Sequence, residues 1–417
     1  MRAFLEAFRM AVRAIKSYKL RTLLTMLGIT IGIFAITLTF TLVDSLKYSV
    51  SKNLSRLGNT VLYVHNWPWK DNSEDWHEYI KRPKMDYSDF RALRERLTDI
   101  SAISFDATKN GQTVRSEFVT IDNLTIKGVT QDYNTIQGLA VASGRYFLPI
   151  ESAGGRNVCV LGYRLAMNLF PGQSAVGQRV KVKGRYFRVL GVLQQMGETV
   201  FGQSQDDFLL MPYKSFAQVY DVRARETDRV IAVKARNNQL IPKVESRIIA
   251  VMRTHRGLRP DTPDNFSINK QETLMEQLNK IFEVLNSGGL FISIFSLLVG
   301  GFGIANIMFV AVKERTREIG LQKAIGATKT FILMEFLLEA VLLCLFGAII
   351  GIALLLLLLV AGQAILDASN SGLEIVTTPG SVIAGMVFAV VTGIISGLLP
   401  AMLAARLDPV EAIRQGG

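Results

Sequence analysis

The residue types that usually perform catalysis or bind metals are few in this sequence, and their spacing matches no known motif. No glycine is followed by lysine, so these residues contain no P-loop of the kind that binds ATP. No Gly-x-Ser-x-Gly or His-Glu-x-x-His motif is present, and His65, His77 and His255 lack the spacing of metal ligands. Cys159 lies in a polar block and Cys344 in an apolar one, so we expect neither a disulfide nor a cysteine metal site. We therefore expect no catalytic residue, no metal and no cofactor in the chain.

One short stretch, residues 313–334, combines charges, glycines and apolar side chains in a pattern typical of a docking segment. We expect residues 313–317 to extend a preceding helix. The residues expected to form the bend and begin the next helix are Gly320, Gly326, Ala327 and Thr328. Thr328 is a good helix N-cap residue, and a new short helix would expose Phe331 and Met334. Such a helix suits docking into a soluble motor protein, but a solvated basic loop explains the residues equally well.

Apolar residues in this chain are concentrated in four blocks. Mean hydropathy is +0.27 although 20% of the residues are charged, which excludes a disordered chain. The blocks without a charged residue or histidine are residues 22–43, 284–312, 340–366 and 375–405. Each exceeds the roughly 20 residues that a helix needs to cross a bilayer. We predict four transmembrane helices, the first a retained helix rather than a cleaved signal peptide. Their lack of ionisable groups argues against an ion-coupled transporter.

The charges between the blocks predict an orientation. Residues 1–21 contain six Lys and Arg residues against Glu6, and residues 313–334 and the tail are also basic. The connection over residues 367–378 contains Asp367 and Glu374 and no basic residue. Because basic short loops stay in the cytoplasm, we expect a multi-pass inner-membrane protein of a bacterium with both termini cytoplasmic. Residues 45–283 then lie outside. This block is basic, with 34 Lys and Arg residues against 25 Asp and Glu residues. The excess positive charge could attract anionic partners, or it could belong to a solvated surface.

The remaining segments complete the predicted organisation. Residues 1–21 contain an amphipathic helix at the inner membrane surface, and the spans are extended outward as a stalk over residues 22–57 and 270–312. Between them, residues 58–269 form an α/β domain. Its predicted helices cover residues 86–97, with Phe90, Leu93 and Leu97 as the apolar stripe, 164–169 and 241–253; its predicted strands cover 157–161 and 231–234, and residues 179–192 form a hairpin that turns at residues 183–185. Residues 63–79 are irregular and rich in aromatic residues; they form a binding lip or pack on their own domain. The other predicted boundaries are 313–334, 335–366, 367–378, 379–405 and 406–417. Close helix packing is predicted by the Gly-x-x-x-Gly pairs Gly28 and Gly32, Gly347 and Gly351, and Gly393 and Gly397.

Several of these segments, in this order, resemble the MacB-type ABC transporter permeases, a family that includes the lipoprotein-releasing LolC and LolE subunits and, more distantly, FtsX. The segments that resemble the family are residues 19–32, 160–172, 176–178, 187–192, 313–328 and 399–414. The resemblance implies a four-helix permease with a porter-like and a second α/β subdomain between helices 1 and 2. It also implies that motion of an ATPase is relayed to that domain, which moves substrate outside the membrane.

The resemblance further implies partners and site residues. We expect a separate ABC ATPase subunit that binds the ATP, and a second permease copy or a paralogue in a dimer. A periplasmic adaptor, an outer-membrane channel and membrane lipid are further expected partners, and nucleic acid is not. The ATPase-coupling residues would be Glu314, Arg315, Thr316, Arg317, Glu318, Gly320, Lys323, Gly326, Ala327, Thr328, Phe331 and Met334. The expected function is efflux of drugs, peptides or other periplasmic substrates; lipoprotein release and FtsX-like regulation of cell-wall hydrolases remain alternatives.

Overall fold

The computed structural model describes residues 19–55, 58–69, 76–196, 206–369 and 375–414. They form two compact units, one with the four long apolar helices and one with residues 49–280. The amphipathic segment predicted within residues 1–21 falls almost entirely outside the described residues. So does part of the connection predicted over residues 367–378.

Within these ranges the chain forms α-helices and strands that are numbered here in chain order. The helices are α1 Lys19–Ser55, α2 Trp76–Lys81, α3 Tyr87–Arg96, α4 Tyr133–Gln137, α5 Pro149–Gly154, α6 Tyr163–Leu169, α7 Tyr213–Val219, α8 Ile241–His255, α9 Gln271–Glu314, α10 Thr316–Ala324, α11 Lys329–Ser369, α12 Pro379–Arg406 and α13 Pro409–Arg414. The strands are β1 Val61–His65, β2 Ile100–Arg115, β3 Thr120–Val129, β4 Val141–Gly144, β5 Val158–Leu161, β6 Arg179–Val182, β7 Arg185–Leu193, β8 Phe208–Pro212, β9 Asp228–Ala235 and β10 Ser267–Lys270.

Four helices among the described residues are long and apolar enough to cross a membrane, as the sequence predicts. They cover Met26–Lys52 in α1, all of α9, Lys329–Ile365 in α11, and all of α12. All four helices extend beyond the charge-free blocks, α12 by a single residue, Arg406. In particular, α11 begins eleven residues before Ala340, so it contains Glu335 and Glu339. The charge-free block is therefore only part of this helix.

Glycines allow α1 and α11 to approach each other closely. A Cβ atom on Gly347 would lie 2.9 Å from Cγ2 of Ile29, and one on Gly351 would lie 2.9 Å from the carbonyl oxygen of Thr30. The hydroxyl of Thr30 donates to the Gly347 carbonyl at 3.1 Å. Small residues permit this backbone contact, which supplies packing and hydrogen bonds where burial from water cannot drive helix association.

Glycines also allow close contact between α11 and α12. A Cβ atom on Gly393 would lie 2.8 Å from Cα of Val341, and one on Gly397 would lie 2.6 Å from Cβ of Ala340. Neither glycine could gain a methyl group unless the neighbouring helix shifted. These two positions therefore fix the separation of α11 and α12.

Gly28 and Gly32 of α1 differ in how closely a neighbouring helix approaches them. A Cβ atom on Gly32 would approach the carbonyl oxygen of Ser296 in α9 to 3.4 Å, which is tight but tolerable. A Cβ atom on Gly28 would meet nothing within 4 Å. Of this pair, only Gly32 lies at a close helix contact.

The α/β unit is built on one mixed ten-stranded sheet. Its strand order is β10-β1-β9-β2-β3-β8-β5-β7-β4, with β6 pairing with β2 and β7. Strands β3 and β8, and β5 and β7, pair in parallel, and the other pairs are antiparallel. Strand β9 joins β1 to β2, so residues near position 65 lie beside residues near position 230.

The predicted helices of this unit are confirmed and owe their ends to local chemistry. Asp86 caps α3 because its side chain accepts from the Tyr87 amide, while Asp89 accepts from the Asp86 amide in a capping box. Phe90 and Leu93 of α3 are buried, as the predicted apolar stripe requires. Helix α8 matches the helix predicted from residue 241 and buries one face in the same core.

The hairpin of β6 and β7 is also confirmed. Lys183 and Gly184 connect the strands with φ angles of 46° and 86°. Positive φ at both central residues gives the turn a twist that matches the strands. The predicted strands over residues 157–161 and 231–234 are present as β5 and within β9.

The prediction of an irregular segment over residues 63–79 is wrong at both ends. Its first three residues belong to β1, because they pair with β9 and β10, and its last four belong to α2. The ring centroids of Trp69 and Tyr63 lie 5.3 Å apart with the rings tilted by 34°, and Trp67 meets Tyr79 edge to face at 5.5 Å. These tryptophans pack on their own domain, although the side chain of Trp67 stays 37% exposed.

Candidate functional site

The predicted coupling segment begins with a break between two helices. Helix α9 ends at Glu314, and α10 starts at Thr316. The hydroxyl of Thr316 donates to the carbonyl oxygens of Val312 and Lys313, at 3.0 and 2.9 Å. It thereby provides hydrogen bonds for two carbonyl groups at the C-terminal end of α9. The prediction that residues 313–317 continue the second span is therefore wrong, because the chain turns at Arg315.

Arg315, at this break, joins α9 to α11. Its Nη1 donates to Oε2 of Glu339 at 3.2 Å. The two side chains are only 12% and 8% exposed, so the pair is largely shielded from water. A buried pair of this kind fixes geometry, because removal of either partner leaves a charge without compensation.

A second acid, Glu335, lies one helical turn before Glu339 on α11. It is 7% exposed, and its Oε2 atom has no hydrogen-bond partner within the described part of the chain. Residues four apart lie on the same face of a helix. The end of the helical unit near Arg315 thus contains two buried carboxyl groups and one guanidinium group.

Lys323 fastens α10 to the end of α12. Its Nζ donates to the carbonyl oxygens of Ala405 and Leu407, at 2.7 and 2.6 Å. These carbonyls have no partner within their own helix, and a cation is favoured at this end of the helix dipole. Loss of hydration, with a further contribution from the charge of Lys329, lowers the pKa of Lys323.

The turn after α10 depends on glycine. Gly326 has a φ of 106°, which side chains rarely tolerate. Ala327 follows it half-buried, and the hydroxyl of Thr328 then accepts from the Phe331 amide at 3.3 Å, as a helix cap does. The helix that starts here is the long α11 rather than a separate short one. That prediction is wrong because the third span begins earlier than its charge-free block. The short helix of the segment is α10, which contains Gly320 as a buried residue.

Apolar side chains are exposed around α10. Leu321 is 61% exposed, Ile325 82%, and Met334 48%, whereas Phe331 is half-buried. Helix α13 packs against α10 and exposes 75% of Val410. We call Leu321, Ile325, Met334 and Val410 the α10 surface. Charged residues that stand exposed beside it are Glu314, Arg317 and Glu318.

The sequence reasoning missed four of the residues that define this site. Glu335 and Glu339 were not singled out, although two acids one turn apart at the start of a long apolar segment are a detectable signal. Leu321 and Ile325 are apolar and four residues apart, so helical periodicity before Thr328 is the signal that could have identified them. The predicted residues Arg315, Lys323, Gly326 and Thr328 do lie together in this region.

Four apolar helices, with an α/β domain inserted between the first and the second, define this protein as a permease-type membrane protein. The chain belongs to the MacB-like permease family. Residues 22–251 match the MacB-like periplasmic core domain, and residues 290–409 match the FtsX-like permease C-terminal domain. The family and fold predicted from the sequence are confirmed.

Relatives are similar over nearly the whole chain. The macrolide export ATP-binding/permease protein MacB of Rhodospirillum rubrum is 32% identical over 99% of this chain and 60% of its own length. Proteins of the same name from Bdellovibrio bacteriovorus and Escherichia coli K12 are 30% and 32% identical, over 99% and 98% of this chain. The chain spans about 60% of the length of these relatives.

Solved structures of two domains are similar to part of this chain. The periplasmic region of MacB from Actinobacillus actinomycetemcomitans is 16% identical and superimposes with a TM-score of 0.45 over 55% of this chain and 97% of its own. The extracellular domain of the noncanonic ABC-type transporter YknZ from Gram-positive bacteria is 17% identical, with a TM-score of 0.39 over 50% of this chain and 98% of its own.

Proposed function

We propose that this chain is the membrane component of an ATP-driven exporter and that the α10 surface is where an ATPase engages it. The observation that carries the proposal is the attachment of α10 at both ends. Arg315 ties its start to α11, and Lys323 ties its end to α12. A force applied to α10 is thereby transmitted to three long helices.

The chemistry of the α10 surface supports docking of a soluble protein. The connection that carries this surface is short and charged, so lipid does not cover its large apolar side chains. Ile325, for example, is 82% exposed. Exposed apolar residues bordered by charges are typical of protein interfaces. The basic character of residues 313–334 supports a cytoplasmic location for this connection, where ATP is available.

We propose that the nucleotide binds outside these 417 residues; the absence of a Gly-Lys pair, and hence of a P-loop, supports this. We propose a separate ABC ATPase subunit. The curated relatives are named as combined ATP-binding and permease proteins, which supports an ABC ATPase as the motor. The permease is proposed to act as a dimer, with membrane lipid around it and with a periplasmic adaptor and an outer-membrane channel as further partners.

The relay is proposed to follow the long helices. Helix α9 is continuous over 44 residues. At 1.5 Å per residue it is about 66 Å long, more than twice the thickness of the hydrocarbon core. Motion at α10 would reach the α/β domain, outside the inner membrane, and move substrate there. The named activity of the relatives supports efflux as the process; the substrate class is proposed to be drugs, peptides or other periplasmic compounds.

Charge substitution on the α10 surface tests this function. The variant Leu321→Asp/Ile325→Asp should insert normally into the membrane but lose co-purification with its ATPase and lose export. The matched control is Ile150→Asp, which changes an isoleucine that is 68% exposed in the α/β domain. Retention of the ATPase by the double variant, at the level of the control, would refute the proposed docking surface.

A transport assay separates efflux from its alternatives. Cells that lack the protein should accumulate a drug or peptide that cells with the wild-type chain export, and Leu321→Asp/Ile325→Asp should behave as the deletion. A defect confined to lipoprotein release or to cell-wall hydrolysis would instead overturn the efflux function.

A further inference from the structure

A basic cleft lies in the α/β unit, away from the membrane helices in sequence and not used by the proposed relay. Its volume is about 600 Å³, within the range of small-molecule sites. The residues that line it are His65, Asn66, Trp67, Ile80, Arg82, Lys84, Arg223, Arg225, Asp228 and Arg229. These residues come from two segments, 65–84 and 223–229, which are about 140 residues apart along the chain. Pairing of β1 with β9 brings the two segments together.

Positive charge in the cleft is not balanced. Five of the lining residues are Arg or Lys, and the only acid among them is Asp228. Asp228 accepts from Nε2 of His65 at 2.8 Å, while Nδ1 of His65 accepts from the Trp67 amide at 3.2 Å. These two contacts fix the His65 ring, which in turn orients Asp228.

The arginines at the mouth of the cleft are available to a ligand. Arg223 and Arg225 are exposed, and neither side chain makes an ion pair or hydrogen bond to the part of the chain that the structure describes. Lys84 is held in place because its Nζ donates to the carbonyl oxygens of Arg225 and Thr227 at 2.8 and 3.0 Å. Lys84 makes no ion pair within the described residues, although the charge of Asp228 attracts it, and loss of hydration lowers its pKa.

Two buried polar atoms at the cleft also lack a hydrogen-bond partner within the described residues. Arg229 is 7% exposed and its Nε has no hydrogen-bond partner among the described residues; its nearest acid, Asp86, is 4.0 Å away. Asn66 is likewise 7% exposed with its Oδ1 unpartnered there. Native proteins rarely leave buried polar atoms unsatisfied, and an unfilled ligand site is one reason for such an exception.

One wall of the cleft is apolar. Trp67 and Ile80 are 37% and 43% exposed, and both line the cleft together with the cations. Trp67 is fixed from behind, since its carbonyl accepts from Nδ2 of Asn269 at 2.9 Å and its ring meets Tyr79. A rigid indole beside several guanidinium groups offers both a charged and an apolar contact surface.

We propose that this cleft binds a phosphomonoester that carries an apolar group. A single carboxylate would leave most of the positive charge uncompensated, whereas a phosphomonoester carries up to two negative charges and three acceptor oxygens. Arginine side chains match phosphate oxygens with paired donors. The apolar group of the ligand contacts Trp67 and Ile80. This site is independent of the proposed coupling to an ATPase, because every residue in it belongs to the α/β unit.

Binding is tested with the full chain in phosphatidylcholine nanodiscs, by calorimetric titration of short-chain phosphatidic acid against empty nanodiscs as the blank. Wild type should bind the phosphatidic acid and not short-chain phosphatidylcholine, whose phosphate is a diester with a cationic group. The variant Arg223→Glu/Arg225→Glu should bind at least about tenfold more weakly, since two charge-assisted contacts are lost.

The matched control is Arg179→Glu/Arg188→Glu. These two arginines are exposed, lie opposite each other on β6 and β7, and do not line the cleft. The control removes the same charge from the same domain and should bind as wild type does. Equal weakening by both double variants would reveal only general attraction to a basic domain and would overturn the site, as would absence of binding by wild type.

A second arm identifies the source of the phosphate. Glycerol 3-phosphate and inorganic phosphate share the charge of phosphatidic acid but lack its acyl chains. Weaker binding of both, with Trp67→Ala reducing the affinity for phosphatidic acid alone, supports a lipid-like ligand. If glycerol 3-phosphate binds as tightly as phosphatidic acid, the apolar part of the proposal is refuted.

Discussion

Arg315 and Glu339 are the residues whose contact most directly concerns the proposed relay. The pair spans two long helices and is shielded from water, so its strength depends on both partners being present. The neighbouring carboxyl of Glu335 makes Arg315 more important still. Without the arginine, two buried acids one helical turn apart would lose its compensating positive charge.

We therefore expect Arg315→Ala to destabilise the helical unit by about 3–5 kcal/mol. The measurement is the thermal transition of the purified protein, together with export in cells. Arg317→Ala is the matched control: this arginine is two positions away and exposed, so its loss should change stability by no more than about 0.5 kcal/mol. The exchanged pair Arg315→Glu/Glu339→Arg should recover part of the loss. Equal stability of the two alanine variants would contradict the role of the buried pair.

A pH-dependent contact is found at the start of α5. Glu151 accepts from Nη1 and Nη2 of Arg145, both at 2.7 Å, and from the Leu148 amide at 2.8 Å. The hydrogen bonds from Arg145, and then that from the Leu148 amide, lower the pKa of Glu151 to about 2. A lowered pKa stabilises the folded state above the ordinary value near 4.3, and this stabilisation is lost as the pH falls towards 2.

Replacement of Arg145 by Gln should therefore lower the unfolding temperature at pH 6 to 8, and the difference from wild type should vanish between about pH 4.3 and pH 2. The loss should be about 2 kcal/mol, because the Arg145 side chain is 47% exposed and solvent screens part of the attraction. Thermal unfolding from pH 3 to pH 8 measures it. A difference that stays constant across this range would contradict the assigned contact.

At the scale of elements, helix separation is set by glycines whose missing side chains allow contact. Gly393 of α12 faces the backbone of α11 at Val341, whereas Gly303 of α9 faces open space. The same substitution at the two positions thus separates packing from helix propensity, which favours alanine over glycine by about 1 kcal/mol in both cases.

We expect Gly393→Ala to lower the thermal transition, with a cost of about 1–3 kcal/mol from overpacking. Gly303→Ala should leave it unchanged or raise it. Thermal unfolding in one detergent compares the two variants, and export assays show whether the altered contact also affects function. A neutral effect at Gly393 would mean that α11 and α12 can move apart without cost.

At the scale of the whole molecule, the proposed orientation follows from loop charge. Both native cysteines are fully buried, which leaves the wild-type chain unreactive towards thiol reagents. Single cysteines can therefore report on which side of the membrane a position lies.

In intact cells made permeable at the outer membrane, an impermeant maleimide should label Asp261→Cys, at an exposed position in the α/β domain. It should label Ile325→Cys, on the α10 surface, only after lysis, because the proposed orientation puts the basic loop in the cytoplasm. Gel shift of the labelled protein is the readout. The reverse pattern would overturn the orientation and with it the location of the ATPase.

The sequence by itself determined the features that depend on neighbouring residues. Four charge-free blocks set the four spans, Lys183 and Gly184 set a hairpin turn, and Thr328 set the start of a helix. Such features follow from hydrophobicity, backbone preference and local hydrogen bonds, which act over a few positions. The order of the motifs also sufficed for the family, although not for the exact start of α11.

Only the tertiary structure decided which distant side chains meet. Arg315 reaches Glu339 because α9 and α11 pack side by side, and Lys323 reaches the end of α12, 82 residues away. The basic cleft exists because β9 pairs with β1 and so brings Arg229 beside Asn66. The partner of a charge, or its lack of one, depends on strand register and helix packing, and these are fixed by the burial of the whole core rather than by any short segment.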